Sequence, residues 1–140
     1  MEPNLVEIVE SSLVAPSENT PKERHWLSNL DLSMPPTLYT SIIYLYRFNG
    51  DSDFFSVSNI KTALAKALVL FYPLAGRLVA DKDGRLEIDC NGEGAFFVIG
   101  EITFLKSSDV VIGAAFNHCI VDVHSDFHLM RTLTNIGRVF

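Results

Sequence analysis

Apolar and polar residues alternate along several short stretches of the chain, and apolar residues recur at helical spacing in two longer ones. Partial alternation predicts a strand over residues 5–14 and a second strand over residues 37–48. The second strand is apolar on both faces, so we expect it to be covered on both sides. Residues 78–80 and 86–89 flank an Asp-Gly pair at 83–84, which is a strong signal for a hairpin.

The helical spacing predicts two helices. The first begins at a cap, Ser56 or Ser58, and stops before Pro73, whose ring removes a donor and collides with the preceding turn. The second has Ser125 as its cap, and its apolar stripe comprises Phe127, Met130, Leu133, Thr134 and Gly137.

The remaining segments are less regular. Residues 17–36 hold three of the six prolines and are predicted to be mostly a connection, with one short helical turn at 20–23. Residues 95–99 predict a strand, whereas 102–105 and 110–116 predict the arms of a further hairpin, the second arm central in a sheet. This order predicts an α/β fold in which helices pack on a mixed sheet.

Composition indicates one globular domain spanning residues 1–140, since 48% of the residues are apolar and 20% are charged. The net charge of −6, without any basic run, argues against binding to nucleic acid or to an anionic membrane surface. We expect no transmembrane helix and no signal peptide, because neither pattern is present. Cys90 and Cys119 are interpreted as reduced thiols in apolar surroundings, which favours a cytoplasmic protein.

One polar cluster, His118 to Asp122, follows directly after the apolar strand at 110–116. A mostly neutral imidazole can accept a proton from a hydroxyl or an amine, so His118 is a candidate general base. Asp122 could orient that imidazole, or it could pair with an arginine and lock the turn, and the spacing does not choose between these roles. A buried, hydrogen-bonded histidine with a structural role fits the same pattern.

A metal site is a further alternative, because His118, Asp122, His124 and His128 offer four nitrogen or oxygen ligands within a short segment. The turn would have to fold back on itself, and its apolar surroundings offer no partners to orient the ligands, so we expect no metal. His124 and His128 are interpreted instead as surface or helix-start residues. Asp126 is attributed to the helix dipole.

Four segments, in this order, resemble the N-terminal part of a plant BAHD acyltransferase. They are Leu-Ser-Asn-Leu-Asp at 27–31, the run at 71–78 that contains Tyr-Pro-Leu-Ala-Gly-Arg, the run at 84–95 and His-Cys-Ile-Val-Asp at 118–122. The Tyr-Pro-Leu-Ala-Gly-Arg block is specific to this family. The Asp-Cys-Asn-Gly-Glu-Gly stretch at 89–94 is most similar to the hydroxycinnamoyltransferases that use shikimate or quinate.

The resemblance implies transfer of an acyl group, in this subgroup hydroxycinnamoyl, from a coenzyme A thioester to an alcohol or amine. In such enzymes His118 would be the general base, and Asp122 would be structural, turned away from the histidine and held by an arginine. The resemblance implies no bound cofactor and no metal. Acyl-coenzyme A is the co-substrate and a small molecule is the acceptor.

Three departures separate this chain from the family pattern. These 140 residues do not contain the family's second domain or its Asp-Phe-Gly-Trp-Gly motif, and the connection after Gly100 is short. Val123 replaces the usual glycine and would be strained if that turn needed a positive φ. We therefore expect an incomplete N-terminal domain. The alternative function is a catalytically inactive half-enzyme that binds partners or self-associates through the exposed domain face.

Overall fold

The computed structural model of the chain describes residues 5–51, 53, 55–102 and 109–137, and this part folds into seven strands and two α-helices. Two short 3-10 helices, Asp31–Ser33 and Tyr72–Ala75, lie between them. The predicted α/β class is confirmed. The elements in chain order are β1 Val6–Val14, β2 Arg24–Trp26, β3 Tyr39–Tyr46, α1 Val57–Leu70, β4 Arg77–Ala80, β5 Leu86–Asp89, β6 Ala95–Ile102, β7 Val110–Asn117 and α2 Val123–Gly137.

The described strands pair in three small antiparallel sheets, whereas the sequence predicts one mixed sheet. β1 pairs with β6, β5 lies between β2 and β4, and β3 pairs with β7. In the β3–β7 pair, Tyr39 lies opposite Asn117 and Tyr46 opposite Val110. This register brings the end of β7 next to the start of β3.

The hairpin between β4 and β5 is confirmed. The carboxylate of Asp81 accepts hydrogen bonds from the backbone N–H groups of Asp83 and Arg85, both at 2.8 Å. Gly84 has φ +81°, a conformation that glycine adopts without steric cost. Local turn chemistry is therefore sufficient to fix this part of the fold.

Two predictions about the connections are wrong. The helical turn expected at 20–23 is absent; these residues are irregular, and the next three form β2. The backbone N–H of Cys90 donates to the carbonyl of Glu23 at 2.9 Å, so pairing with the β5 region replaces the local helix. Ile102 is the last residue of β6 and lies opposite Val6, not in a hairpin arm. The rest of that predicted arm, 103–105, lies outside the described residues.

The two helices pack on each other and on the inner face of the β3–β7 sheet. Their shared core consists of Ala63, Ala67, Leu129, Met130 and Leu133. Helix α1 begins after Ser56 and ends at Leu70, before Pro73, as predicted, although the Ser56 hydroxyl makes no capping hydrogen bond. Neither helix, within the residues described, is long and apolar enough to cross a membrane.

β3 is covered on one face only by the described residues, although the sequence predicts cover on both. Ile42 and Tyr44 face inward, whereas Ile43 is 73% exposed and Leu45 is 59% exposed. On strand β6, the apolar side chain of Phe96 is also 71% exposed. Exposed apolar side chains therefore lie on both of these strands.

Candidate functional site

His118 lies on the turn that connects β7 to α2. Its backbone N–H donates to the carbonyl of Leu38, the residue before β3, at 2.9 Å. The residue is half-buried, and among the described residues its ring has no hydrogen-bond or ion-pair partner. The backbone of His118 is therefore attached to the segment before β3, while its ring makes no polar contact with the described residues.

Asp122 caps helix α2. Its Oδ1 atom accepts a hydrogen bond from the backbone N–H of Ser125 at 2.7 Å, and this bond is the main reason that the pKa of Asp122 is lowered. Ser125 is the third residue of the helix, so its prediction as the cap is wrong. The arginine ion pairs of the described chain involve Glu87, Asp89 and Glu93, and none of them reaches Asp122.

Val123 is the first residue of α2. A residue at that position has right-handed helical dihedral angles, and among the described residues only Phe55 is a non-glycine residue with positive φ. The helical assignment of Val123 therefore gives no support to the expected positive φ.

The four residues of the metal alternative do not converge. In the described part of the chain, no group of three or more histidine, cysteine or acidic side chains could hold a metal ion. His124 and His128 lie on the exposed surface of α2. The ring of His128 makes an edge contact with Phe71, with centroids 5.3 Å apart.

A cleft of about 1090 Å³ lies between β6 and β7 and is bounded by both helices. Its lining is mainly apolar and includes Leu64, Leu68, Phe97 and Ile112. Near the His118 turn it is lined by Asn117, Ile120 and Val121, while His118 itself is not part of the lining. The candidate base therefore borders the cleft without projecting from its wall.

The Tyr-Pro-Leu-Ala-Gly-Arg block is explained by contacts that hold the segment before β4 against the loop after β5. Gly76 packs so closely on this loop that a Cβ atom there would overlap the carbonyl oxygen of Asp89. The Arg77 guanidinium donates from Nη1 to the carbonyls of Gly76 at 2.7 Å and Gly94 at 2.9 Å. The Tyr-Pro-Leu-Ala-Gly-Arg block, the most specific segment of the sequence, therefore has a structural role.

Tyr72 of the same block forms a polar cluster with Glu23 and His25. Its hydroxyl donates to Oε1 of Glu23 at 2.6 Å, and this bond raises the pKa of Tyr72 to about 12. Nε2 of His25 lies 3.0 Å from both that hydroxyl and that carboxylate oxygen. The cluster ties β2 to the 3-10 helix that follows α1.

Tyr44 and Asp126 form a buried pair of polar side chains that was not predicted from the sequence. Asp126 is 1% exposed, and its Oδ2 atom accepts a hydrogen bond from the hydroxyl of Tyr44 at 2.7 Å. Burial, and then this bond, raises the pKa of Tyr44 to about 12. Phe127, predicted to be on the apolar stripe, is instead 56% exposed. Leu129 and Leu133 lie three and seven residues after Asp126, and this spacing places all three on one face of the helix. The spacing could therefore have predicted that Asp126 faces inward.

The described residues form an α/β domain with the His118 turn between its last strand and its last helix. The structure matches the crystal structure of vinorine synthase with a TM-score of 0.77, over 95% of this chain and 43% of that one, at 23% sequence identity. Residues 4–101 match the family described as the transferase family. The chain belongs to this family, the BAHD acyltransferases.

Curated relatives agree with this assignment. The chain is 50% identical to a shikimate O-hydroxycinnamoyltransferase of Nicotiana tabacum, over 95% of this chain and 39% of the relative. It is 36% identical to putrescine hydroxycinnamoyltransferase 2 of Oryza sativa subsp. japonica, over 95% of this chain and 56% of the relative. The chain therefore spans roughly two fifths to just over half the length of these two relatives.

The alignment with the tobacco relative also contains a gap inside this chain. It extends over 172 positions, and since this chain has only 140 residues, at least 32 of those positions have no counterpart here. The family match ends at residue 101, within β6. These observations agree with the short connection after Gly100 in the sequence.

Proposed function

We propose that this chain takes part in acyl transfer from a coenzyme A thioester to a small-molecule alcohol or amine, with His118 as the general base. The observation that carries the proposal is the state of His118, which has a fixed backbone, a half-buried position and a ring free of partners among the described residues. Asp122 acts structurally by capping the helix that follows. We place this activity in the cytoplasm, as the cysteine usage favours.

The chemistry needs one proton acceptor at this position. A ring nitrogen of His118 takes the proton from the acceptor hydroxyl or amine as its oxygen or nitrogen attacks the thioester carbonyl carbon. The C–S bond then breaks, and the departing coenzyme A sulfur takes the proton back from the imidazolium. A positioned general base contributes about 10²- to 10⁴-fold to such a rate, and the rest comes from orientation and from stabilisation of the oxyanion.

The acyl group that we propose is hydroxycinnamoyl. Both relatives are named for transfer of this group, although one name specifies shikimate and the other putrescine as the acceptor. The mainly apolar cleft of about 1090 Å³ beside the His118 turn suits an aromatic acyl chain. The acceptor is proposed only as a class, an alcohol or an amine.

The test compares the full chain with a His118→Ala variant, using hydroxycinnamoyl-coenzyme A with shikimate, quinate or putrescine. Release of free thiol and formation of the ester or amide are both measured. We expect turnover by the unmodified chain and a loss of about 10²-fold or more in the variant. His124→Ala, an exposed histidine six residues further on, is the matched control and should keep full turnover. Equal turnover in the His118 variant would remove this residue from the mechanism.

A catalytically inactive half-enzyme that binds partners or self-associates is the second candidate. Its supporting observation is the set of open apolar faces, where Ile43 is 73% exposed, Phe96 71% and Ile8 67%. We expect the molar mass measured by light scattering to rise with concentration, and an Ile43→Lys substitution to lower it. Absence of turnover together with self-association supports this candidate, and a stable monomer at all concentrations contradicts it.

A further inference from the structure

Asn117, the last residue of β7, uses both polar atoms of its side chain in hydrogen bonds. Nδ2 donates to the carbonyl of Pro36 at 2.7 Å, and Oδ1 accepts from the backbone N–H of Cys119 at 3.0 Å. Its own carbonyl accepts from the N–H groups of Ile120 at 3.0 Å and Val121 at 3.1 Å. Because Asn117 is only 8% exposed, water does not readily replace these partners.

The turn that Asn117 begins is attached to residues 34–38 at three points. Besides the Asn117 bond to Pro36, the N–H of His118 donates to Leu38 at 2.9 Å, and Sγ of Cys119 donates to Met34 at 3.2 Å. All three acceptors are backbone carbonyls at alternate positions of one segment. Of these three turn residues, only Asn117 has a side chain that bonds both to residues 34–38 and to a backbone N–H within the turn.

We propose that Asn117 is the positioning residue of the candidate site and fixes the backbone of the turn in the conformation that holds the His118 imidazole beside the cleft. The catalytic meaning of this proposal rests on the proposed function, whereas its structural test does not. Displacement of a catalytic group by about 1 Å can lower a rate by about 10²-fold, so a rigid turn matters for a general base.

The chemistry of the side chain explains why asparagine is needed here. An aspartate could still accept from the N–H of Cys119, but it would place a second oxygen against the carbonyl of Pro36. A serine could accept from the same N–H group but is too short to reach Pro36. Each substitution therefore keeps the hydrogen bond from the N–H of Cys119 and removes the hydrogen bond to the carbonyl of Pro36.

The test follows the His118 amide and ring by NMR in the full chain and in Asn117→Asp. We expect hydrogen exchange at the His118 amide to accelerate about tenfold or more relative to the paired amides of β3 and β7. The ring resonances of His118 should shift as well. The amides of β3 and β7 are the internal reference, because a general loss of stability would accelerate their exchange as well. Asn91→Asp is the matched control, because Oδ1 of Asn91 accepts from the N–H of Glu93 at 3.0 Å in a different loop.

Unchanged relative exchange and unchanged ring resonances at His118 in Asn117→Asp would overturn the proposal and leave Asn117 a purely structural residue. Should the aspartate variant fail to fold, Asn117→Ser decides by the same measurements. If the chain turns over substrate, we also expect a lower kcat with KM changed by less than twofold. If His118→Ala keeps full turnover while His118 responds to Asn117→Asp, the proposed function fails and the positional inference stands.

Discussion

The hydroxyl of Tyr44 connects β3 to α2 through a single hydrogen bond. It donates to Oδ2 of Asp126 at 2.7 Å, while the buried Oδ1 atom of that carboxyl has no partner among the described residues. Tyr44→Phe removes the hydroxyl and keeps the ring, which packs against the core shared by the two helices. The substitution therefore leaves a 1% exposed carboxyl without its side-chain donor.

The expected cost follows from the burial of that carboxyl. Leaving a buried polar group without its hydrogen bond costs about 1–3 kcal/mol, and more when the group is charged. We therefore expect Tyr44→Phe to lower the free energy of unfolding by about 2 kcal/mol. Tyr39→Phe, on the same strand but 61% exposed, is the matched control and should change it by less than about 0.5 kcal/mol.

Urea unfolding at pH 7, followed by far-ultraviolet circular dichroism, measures both variants. A double-mutant cycle with Asp126→Asn separates the pair from other effects of the hydroxyl, because the cost of Tyr44→Phe should change when its partner is altered. If Tyr44→Phe costs no more than Tyr39→Phe, or costs the same in both backgrounds, the assigned role of the pair is refuted.

Further predictions concern one close contact and two titrating groups. Gly76→Ala should destabilise the fold by about 1–3 kcal/mol in urea unfolding, because its Cβ would overlap the carbonyl of Asp89. The raised pKa of Tyr44, about 12 against 10.0, should contribute stability that is present below pH 10 and lost as the pH rises toward 12, and Tyr44→Phe should remove this alkaline loss. The lowered pKa of Asp122 should contribute stability that is present above pH 3.8 and lost as the pH falls through its folded value, so Asp122→Asn should flatten acid unfolding.

Elements that depend on signals within a few residues follow directly from the sequence. The hairpin after β4 has Asp81 and Gly84 in its turn, and α1 ends three residues before Pro73. The family resemblance depends on short blocks in order, and the match over residues 4–101 bears it out. In each case, the residues that decide the outcome are close together in the chain.

Positions that depend on a distant partner did not follow from the sequence. β2 replaces a predicted helical turn because the Glu23 carbonyl accepts from Cys90. The partner of the buried Asp126 carboxyl is a tyrosine hydroxyl 82 positions away in the chain, and nothing near Asp126 in the sequence identifies it. The spacing of apolar residues predicts which face of a helix is buried. It does not identify the hydrogen-bond partner of a polar side chain on that face.

The same division holds for the candidate site. The sequence by itself determined which residues are candidates, since His118 and Asp122 stand four positions apart after an apolar strand. The cap that Asp122 forms on α2 is local as well, because its partner Ser125 lies three positions on. The tertiary structure decided that Asn117 attaches the turn to Pro36, 81 positions away. A local motif specifies chemical groups, but the direction in which a side chain points depends on hydrogen bonds from segments that only folding brings together.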